Sequence, residues 1–152
     1  MQREFLFKQL QKLEDAYDKL PPFTQEKIDL WCECFSDCDE QTFASAVMTY
    51  IKTNEFPPTI AGINKCCCEI NEYRQMMASL IKGQYNIMRS TWEEPFSIDC
   101  YNKYLGIVYK APKGIREDLA VEITQNAVQF YHDCEYDGKE PPALIDYLEG
   151  LI

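Results

Sequence analysis

The sequence predicts an all-α protein, a compact helical bundle of about six to seven helices. Three observations carry that expectation. Apolar residues recur at three-four spacing through the long segments, and no segment alternates apolar and polar residues between hairpin turns. Proline pairs at Pro21-Pro22, Pro57-Pro58 and Pro141-Pro142 cut the chain into helix-length pieces, because each proline fixes φ and removes a backbone donor.

The elements follow in order. Residues 2–20 place Phe5, Leu6, Leu10, Leu13, Tyr17 and Leu20 close to one stripe. Thr24 is placed to cap a second helix through about Phe35, with Ile28, Trp31, Cys32 and Phe35 inward, and Asp39 to cap a third, with Phe43, Ala46, Val47, Tyr50 and Ile51 inward to about Asn54. After the corner at Pro57-Pro58, Thr59 caps a long helix to about Ser90, burying Ile60, Ile63, Cys67, Ile70, Met77, Ile81, Ile87 and Met88. Residues 91–97, which include Glu93, Glu94, Pro95 and Phe96, read as a connector. Ser97 then caps a helix carrying Ile98, Tyr101, Leu105, Val108 and Tyr109. A helix from about Ile115 to Cys134 buries Leu119, Ile123, Ala127, Val128 and Tyr131, and a short last one follows Pro141-Pro142.

These elements divide into an N-terminal helical region, 1–90, and a C-terminal one, 91–152. Ala46-Val47-x-x-Tyr50 before Pro57-Pro58 matches Ala127-Val128-x-x-Tyr131 before Pro141-Pro142, with Asp137-Gly138-Lys139 read as an insertion. Two related helix-corner-helix halves, the second a divergent repeat packed on the first, would leave this trace. Chance in a helical protein would also leave it, and the sequence alone keeps both readings open.

Composition excludes several classes of function. With 152 residues, 46% apolar and 20 aromatic, the chain can bury a core, and no stretch reaches the roughly 20 apolar residues of a membrane span. Residues 1–15 lack the unbroken apolar run of a secretory signal, so a cytoplasmic protein with reduced thiols is expected. The eight cysteines contain no Cys-x-x-Cys pair, and Cys66, Cys67 and Cys68 point about 100° apart on a helix, so no metal site and no cofactor is expected. The single histidine, His132, diverges from its neighbour Cys134 on a helix, and no phosphate loop, dinucleotide fingerprint or His-Glu-x-x-His occurs. Carboxylate pairs such as Glu93-Glu94 and Asp39-Glu40 read as solvated charge and helix N-terminal stabilisation. No catalytic residue is expected, and the chain reads as a non-enzyme.

The net charge of −10 opposes unassisted binding to a phosphate backbone and favours a protein partner. Residues 24–55 hold seven acidic and two basic side chains, and residues 133–152 hold six and one. Within the long fourth helix, Arg74, Lys82 and Arg89 recur at near two-turn intervals with Tyr85 close by, a basic and aromatic face that could touch DNA weakly.

The order of Asp29-Leu30-Trp31, Phe35, Phe43-Ala44-Ser45-Ala46-Val47-x-x-Tyr50-Ile51 and Phe56-Pro57-Pro58-Thr59-Ile60-Ala61-x-Ile63 resembles the N-terminal domain of the bacteriophage helicase loader and inhibitor family, over residues 24–64. The resemblance implies a small acidic helical adaptor of the host bacterial cytoplasm, without an ATPase of its own. It implies binding to a DnaB-type hexameric replicative helicase, delivery to an origin-bound replisome organiser, and inhibition of the helicase meanwhile. In the family pattern the helicase contact lies in a flexible polar C-terminal tail. Here residues 97–152 are rich in Tyr, Leu, Ile and Val, and the acidic, aromatic end carries the candidate helicase contacts: Glu135, Tyr136, Asp137, Tyr147, Glu149 and Leu151. The alternative from charge alone is an acidic nucleic-acid mimic that inhibits a host DNA-processing enzyme.

Overall fold

The structure, a computed structural model, describes residues 1–93 and 96–152; Glu94 and Pro95 of the expected connector and of the Glu93-Glu94 pair lie outside them. The chain is all-α, with seven α-helices and no strand among the described residues: α1 Arg3–Ala16, α2 Gln25–Cys34, α3 Glu40–Thr53, α4 Ile60–Thr91, α5 Ile98–Lys110, α6 Arg116–Tyr136 and α7 Leu144–Glu149. One 3-10 turn, Lys113–Ile115, precedes α6. Two compact units divide the chain, Met1–Gln75 and Met76–Ile152, and the division falls within α4.

Local chemistry sets the helix starts. The Thr24 hydroxyl accepts the Lys27 N–H at 3.4 Å, an Asp39 carboxylate oxygen accepts the Thr42 N–H at 2.8 Å, the Thr59 hydroxyl accepts the Gly62 N–H at 3.0 Å, and the Ser97 hydroxyl accepts the Cys100 N–H at 3.4 Å. Each satisfies a donor that the first helical turn leaves unpaired, at about 1 kcal/mol. The end of α6 is equally local. Gly138 adopts φ +66°, its N–H meets the Glu135 carbonyl at 3.1 Å, and the Lys139 N–H meets the Cys134 carbonyl at 2.8 Å. Asp137-Gly138-Lys139 is thus a left-handed helix stop in which glycine avoids a Cβ penalty.

In the first unit α1 packs on α3 and α2. Leu6, Leu10, Leu13 and Tyr17 meet Ile28, Trp31, Phe35, Phe43, Ala46, Val47, Ile63, Cys66 and Cys67 in one core. Its aromatic chain runs Phe23 to Trp31 at 5.6 Å, Trp31 to Phe35 at 5.6 Å and Phe35 to Phe43 at 4.9 Å between ring centroids. The Tyr17 hydroxyl donates to the Asn54 carbonyl at 2.9 Å, tying the end of α1 to the end of α3 just before the proline corner. Burial, and then the neighbouring Tyr50, raise the Tyr17 pKa.

In the second unit α5 packs on α7 and α6. Ile81, Tyr85, Met88 and Trp92 from α4 and its end meet Cys100, Tyr104, Val108, Ala120, Ile123, Ala127, Leu144 and Leu148. Here the inward face differs from the expected one. Ile98 and Tyr109 of α5 are exposed, while Cys100 and Tyr104 are buried, so the helix is turned from the face that its most apolar residues suggest. Ile87, expected inward, is exposed as well. Both helices carry apolar residues on more than one face, and packing against the neighbours selects between them.

Candidate protein-docking site

The candidate helicase contacts cluster around the end of α6 and the length of α7, all within the second unit. Tyr136, in the last turn of α6, is 93% exposed. Glu135 lies 3.8 Å from His132 Nδ1, and Asp137 accepts from Lys139 Nζ at 2.8 Å. On α7, Glu149 accepts from Lys103 Nζ at 2.7 Å, bracing α7 against α5, and Leu151 is exposed just beyond. Tyr147 is half-buried, and burial raises its pKa.

Sequence reasoning missed the rings around Tyr147. Its centroid lies 5.2 Å from that of Trp92 and 5.2 Å from that of Phe130, and Trp92 lies 5.7 Å from Tyr131. The Trp92 indole N–H donates to the Pro142 carbonyl at 2.7 Å, so the cluster is anchored on the second Pro-Pro corner. Trp92 had no periodic partner in the sequence to signal this, because Pro142 is fifty residues away.

The basic, aromatic face expected on α4 is not assembled as a DNA surface. Tyr85 is a correction: at 1% exposure it is a core residue whose ring lies 4.9 Å from Tyr101 and 5.4 Å from Tyr104, so it cannot stack on a base. Arg74 is engaged within the first unit, donating to the Thr42 hydroxyl at 2.5 Å and lying 3.8 Å from Asp39. Arg89 lies over the Phe96 ring at 5.3 Å, and Lys82 is exposed. The side-chain bond from Thr42, ahead of its backbone bond and the Arg74 charge, holds the Asp39 carboxyl below its usual range.

Cys38, before α3, and Cys67, on α4, meet at 3.8 Å between sulfurs. Burial pushes the Cys67 thiol up to about 12 and raises Cys38 and Cys66. Among the described residues no group of three or more Cys, His, Asp or Glu is gathered that could hold a metal ion, and no helix is long and apolar enough to cross a membrane.

In the first unit Trp31 and Val47 are buried and Tyr50 and Ile60 partly so, around the corner at Pro57-Pro58, where Gly62 packs against the Tyr50 ring. Residues 1–64 match the family model for the N-terminal domain of the phage helicase loader and inhibitor protein. The N-terminal stretch is a helicase-loader N-terminal domain. The match agrees with the resemblance carried by the tryptophan helix, the Ala-Val-x-x-Tyr helix and the Phe-Pro-Pro-Thr-Ile corner. The loader domain also takes in α1, which the resemblance over 24–64 did not cover, and ends in the first turns of α4. Neither the curated proteins nor the solved structures give a match to the chain. Beyond the loader domain, α5, α6 and α7 belong to a folded second unit.

Proposed function

We infer that this chain is a non-enzymatic replication adaptor of phage type, which binds a DnaB-type hexameric replicative helicase, holds its ATPase and helicase activity down, and delivers it at the origin to an origin-bound replisome organiser. The observation that supports this reading is the helicase-loader N-terminal domain over residues 1–64. The net charge of −10 is consistent with a protein partner rather than with DNA as the first ligand. In the second unit, Glu135, Tyr136, Asp137, Tyr147, Glu149 and Leu151 are the proposed helicase contacts, combining aromatic area with a polar acidic rim.

An adaptor that both holds and releases a ring must bind one of its states more tightly than another, since equal affinity for both states shifts nothing. Nucleotide is the natural selector of those states. The experiment is light scattering after size exclusion of the chain with the host helicase, with and without a non-hydrolysable ATP analogue. A complex of defined mass that depends on nucleotide is the expected result, and absence of a complex well above micromolar concentration sinks the reading.

The acidic surface also supports a second reading, a nucleic-acid mimic that occupies the DNA channel of a host enzyme. DNA competition separates the two. A mimic is displaced by DNA and weakened steeply by salt, whereas a loader's complex persists beside DNA.

A further inference from the structure

The ring cluster of the second unit has a fixed floor and an open top. Trp92 is held by its bond to the Pro142 carbonyl and is buried. Phe130 lies nearly parallel to it, 16° between planes at 6.4 Å, and is 37% exposed; Tyr147 packs against both. The two arginine–ring contacts among the described residues are elsewhere, Arg89 over Phe96 and Arg116 over Tyr109 at 4.8 Å.

The charge around the cluster is one-sided. Residues 133–152 carry six carboxylates and a single lysine, Lys139, which is taken by Asp137. Asp133 stands one turn beyond Phe130 on α6, and Glu140 two residues before Pro142. Neither has a basic partner among the described residues.

We propose that the Trp92–Phe130–Tyr147 cluster is a docking site for an arginine-bearing basic segment of the helicase, the guanidinium stacking on Phe130 and Tyr147 while Asp133 and Glu140 supply the countercharge. This rests on the helicase reading above and deepens it by naming the chemistry of the contact. Arginine suits the site better than lysine because its planar, weakly hydrated guanidinium lies flat on a ring face and keeps its edge N–H groups for carboxylates. A compact ammonium keeps its water and uses only the charge.

The test titrates the full chain with hexa-arginine and hexa-lysine peptides by calorimetry at low salt, alongside the helicase itself. Hexa-arginine is expected to bind at least about fivefold tighter than hexa-lysine. Phe130→Ala should lower hexa-arginine affinity about tenfold and leave hexa-lysine nearly unchanged, and the Asp133→Lys/Glu140→Lys pair should weaken both. Equal affinity for the two peptides, insensitive to Phe130→Ala, would mean a merely acidic surface and overturn the proposal. Should Phe130→Ala disturb the fold by circular dichroism, the exposed charge reversals carry the test alone, and hexa-arginine binding unchanged by them also overturns it. A helicase complex that forms but ignores both variants refutes this site and spares the adaptor reading. Peptides behaving as expected with no helicase complex support the ring site and refute the helicase as its partner.

Discussion

The Trp92 indole N–H donates to the Pro142 carbonyl at 2.7 Å, joining residues fifty positions apart and fixing the corner that leads into α7. Trp92→Phe keeps most of the ring but loses the bond, which is expected to cost about 1 kcal/mol in urea unfolding. Trp92→Ala removes the floor of the ring cluster and should cost about 3–5 kcal/mol. If the two variants lose the same stability, the ring contributes nothing beyond its hydrogen bond.

Gly62 and Gly83 both lie in α4, yet their alanine variants should move in opposite directions. A Cβ at Gly62 would meet the Tyr50 ring at 2.7 Å, so Gly62→Ala must push the ring or the helix aside, at about 1–3 kcal/mol. A Cβ at Gly83 meets nothing within 4 Å, and Gly83→Ala should gain up to about 1 kcal/mol from helix propensity. Thermal unfolding of the two variants side by side decides this. A stabilising Gly62→Ala would mean that the ring yields freely.

Asp39 ties stability to acid pH. Its folded pKa is lowered, first by the Thr42 hydroxyl, so the carboxylate's contribution is fully present above the unfolded value of 3.8 and is lost as pH falls through the lower folded value. Asp39→Asn retains a cap and should flatten this part of the acid-unfolding curve, while Asp39→Ala should cost about 1 kcal/mol at neutral pH. The carboxylate is more than half exposed, so added salt should weaken its pairing with Arg74 without abolishing the cap. An unaltered acid limb in Asp39→Asn would remove Asp39 from the account.

Thiol reactivity should sort by burial. Cys34 and Cys68 are exposed, whereas Cys67 is buried with its thiol pushed up to about 12 from 9.0, which lowers its thiolate fraction about a thousandfold at neutral pH. Alkylation followed by peptide mapping should label Cys34 and Cys68 first and Cys67 last. Cys67 labelling as fast as Cys68 would show that the α4 face opens readily.

The helix starts were legible because they depend on neighbours in sequence: Thr24, Asp39, Thr59 and Ser97 each cap a helix within three residues of the donor they accept. The proline corners were legible for the same reason, and the Trp31, Ala46-Val47 and Pro57-Pro58 segments carried the family resemblance that the match over 1–64 bears out. The rotation of α5 was not legible, since Ile98 and Tyr109 are as apolar as the Cys100 and Tyr104 that displaced them. Nor was Tyr85, whose place beside two basic residues in the helical pattern suggested a surface and whose ring fills the second core instead.

By itself, then, the sequence determined an all-α chain, the ends of its helices and the family of its first domain, because capping, proline geometry and apolar spacing act over a few residues. Only the tertiary structure decided which face of each helix is buried, brought Cys38 to Cys67 and Arg74 to Thr42, and gathered Trp92, Phe130 and Tyr147 into one cluster. Those relations join distant residues through helices whose orientation is set by their packing partners, and no local rule in the chain specifies that orientation.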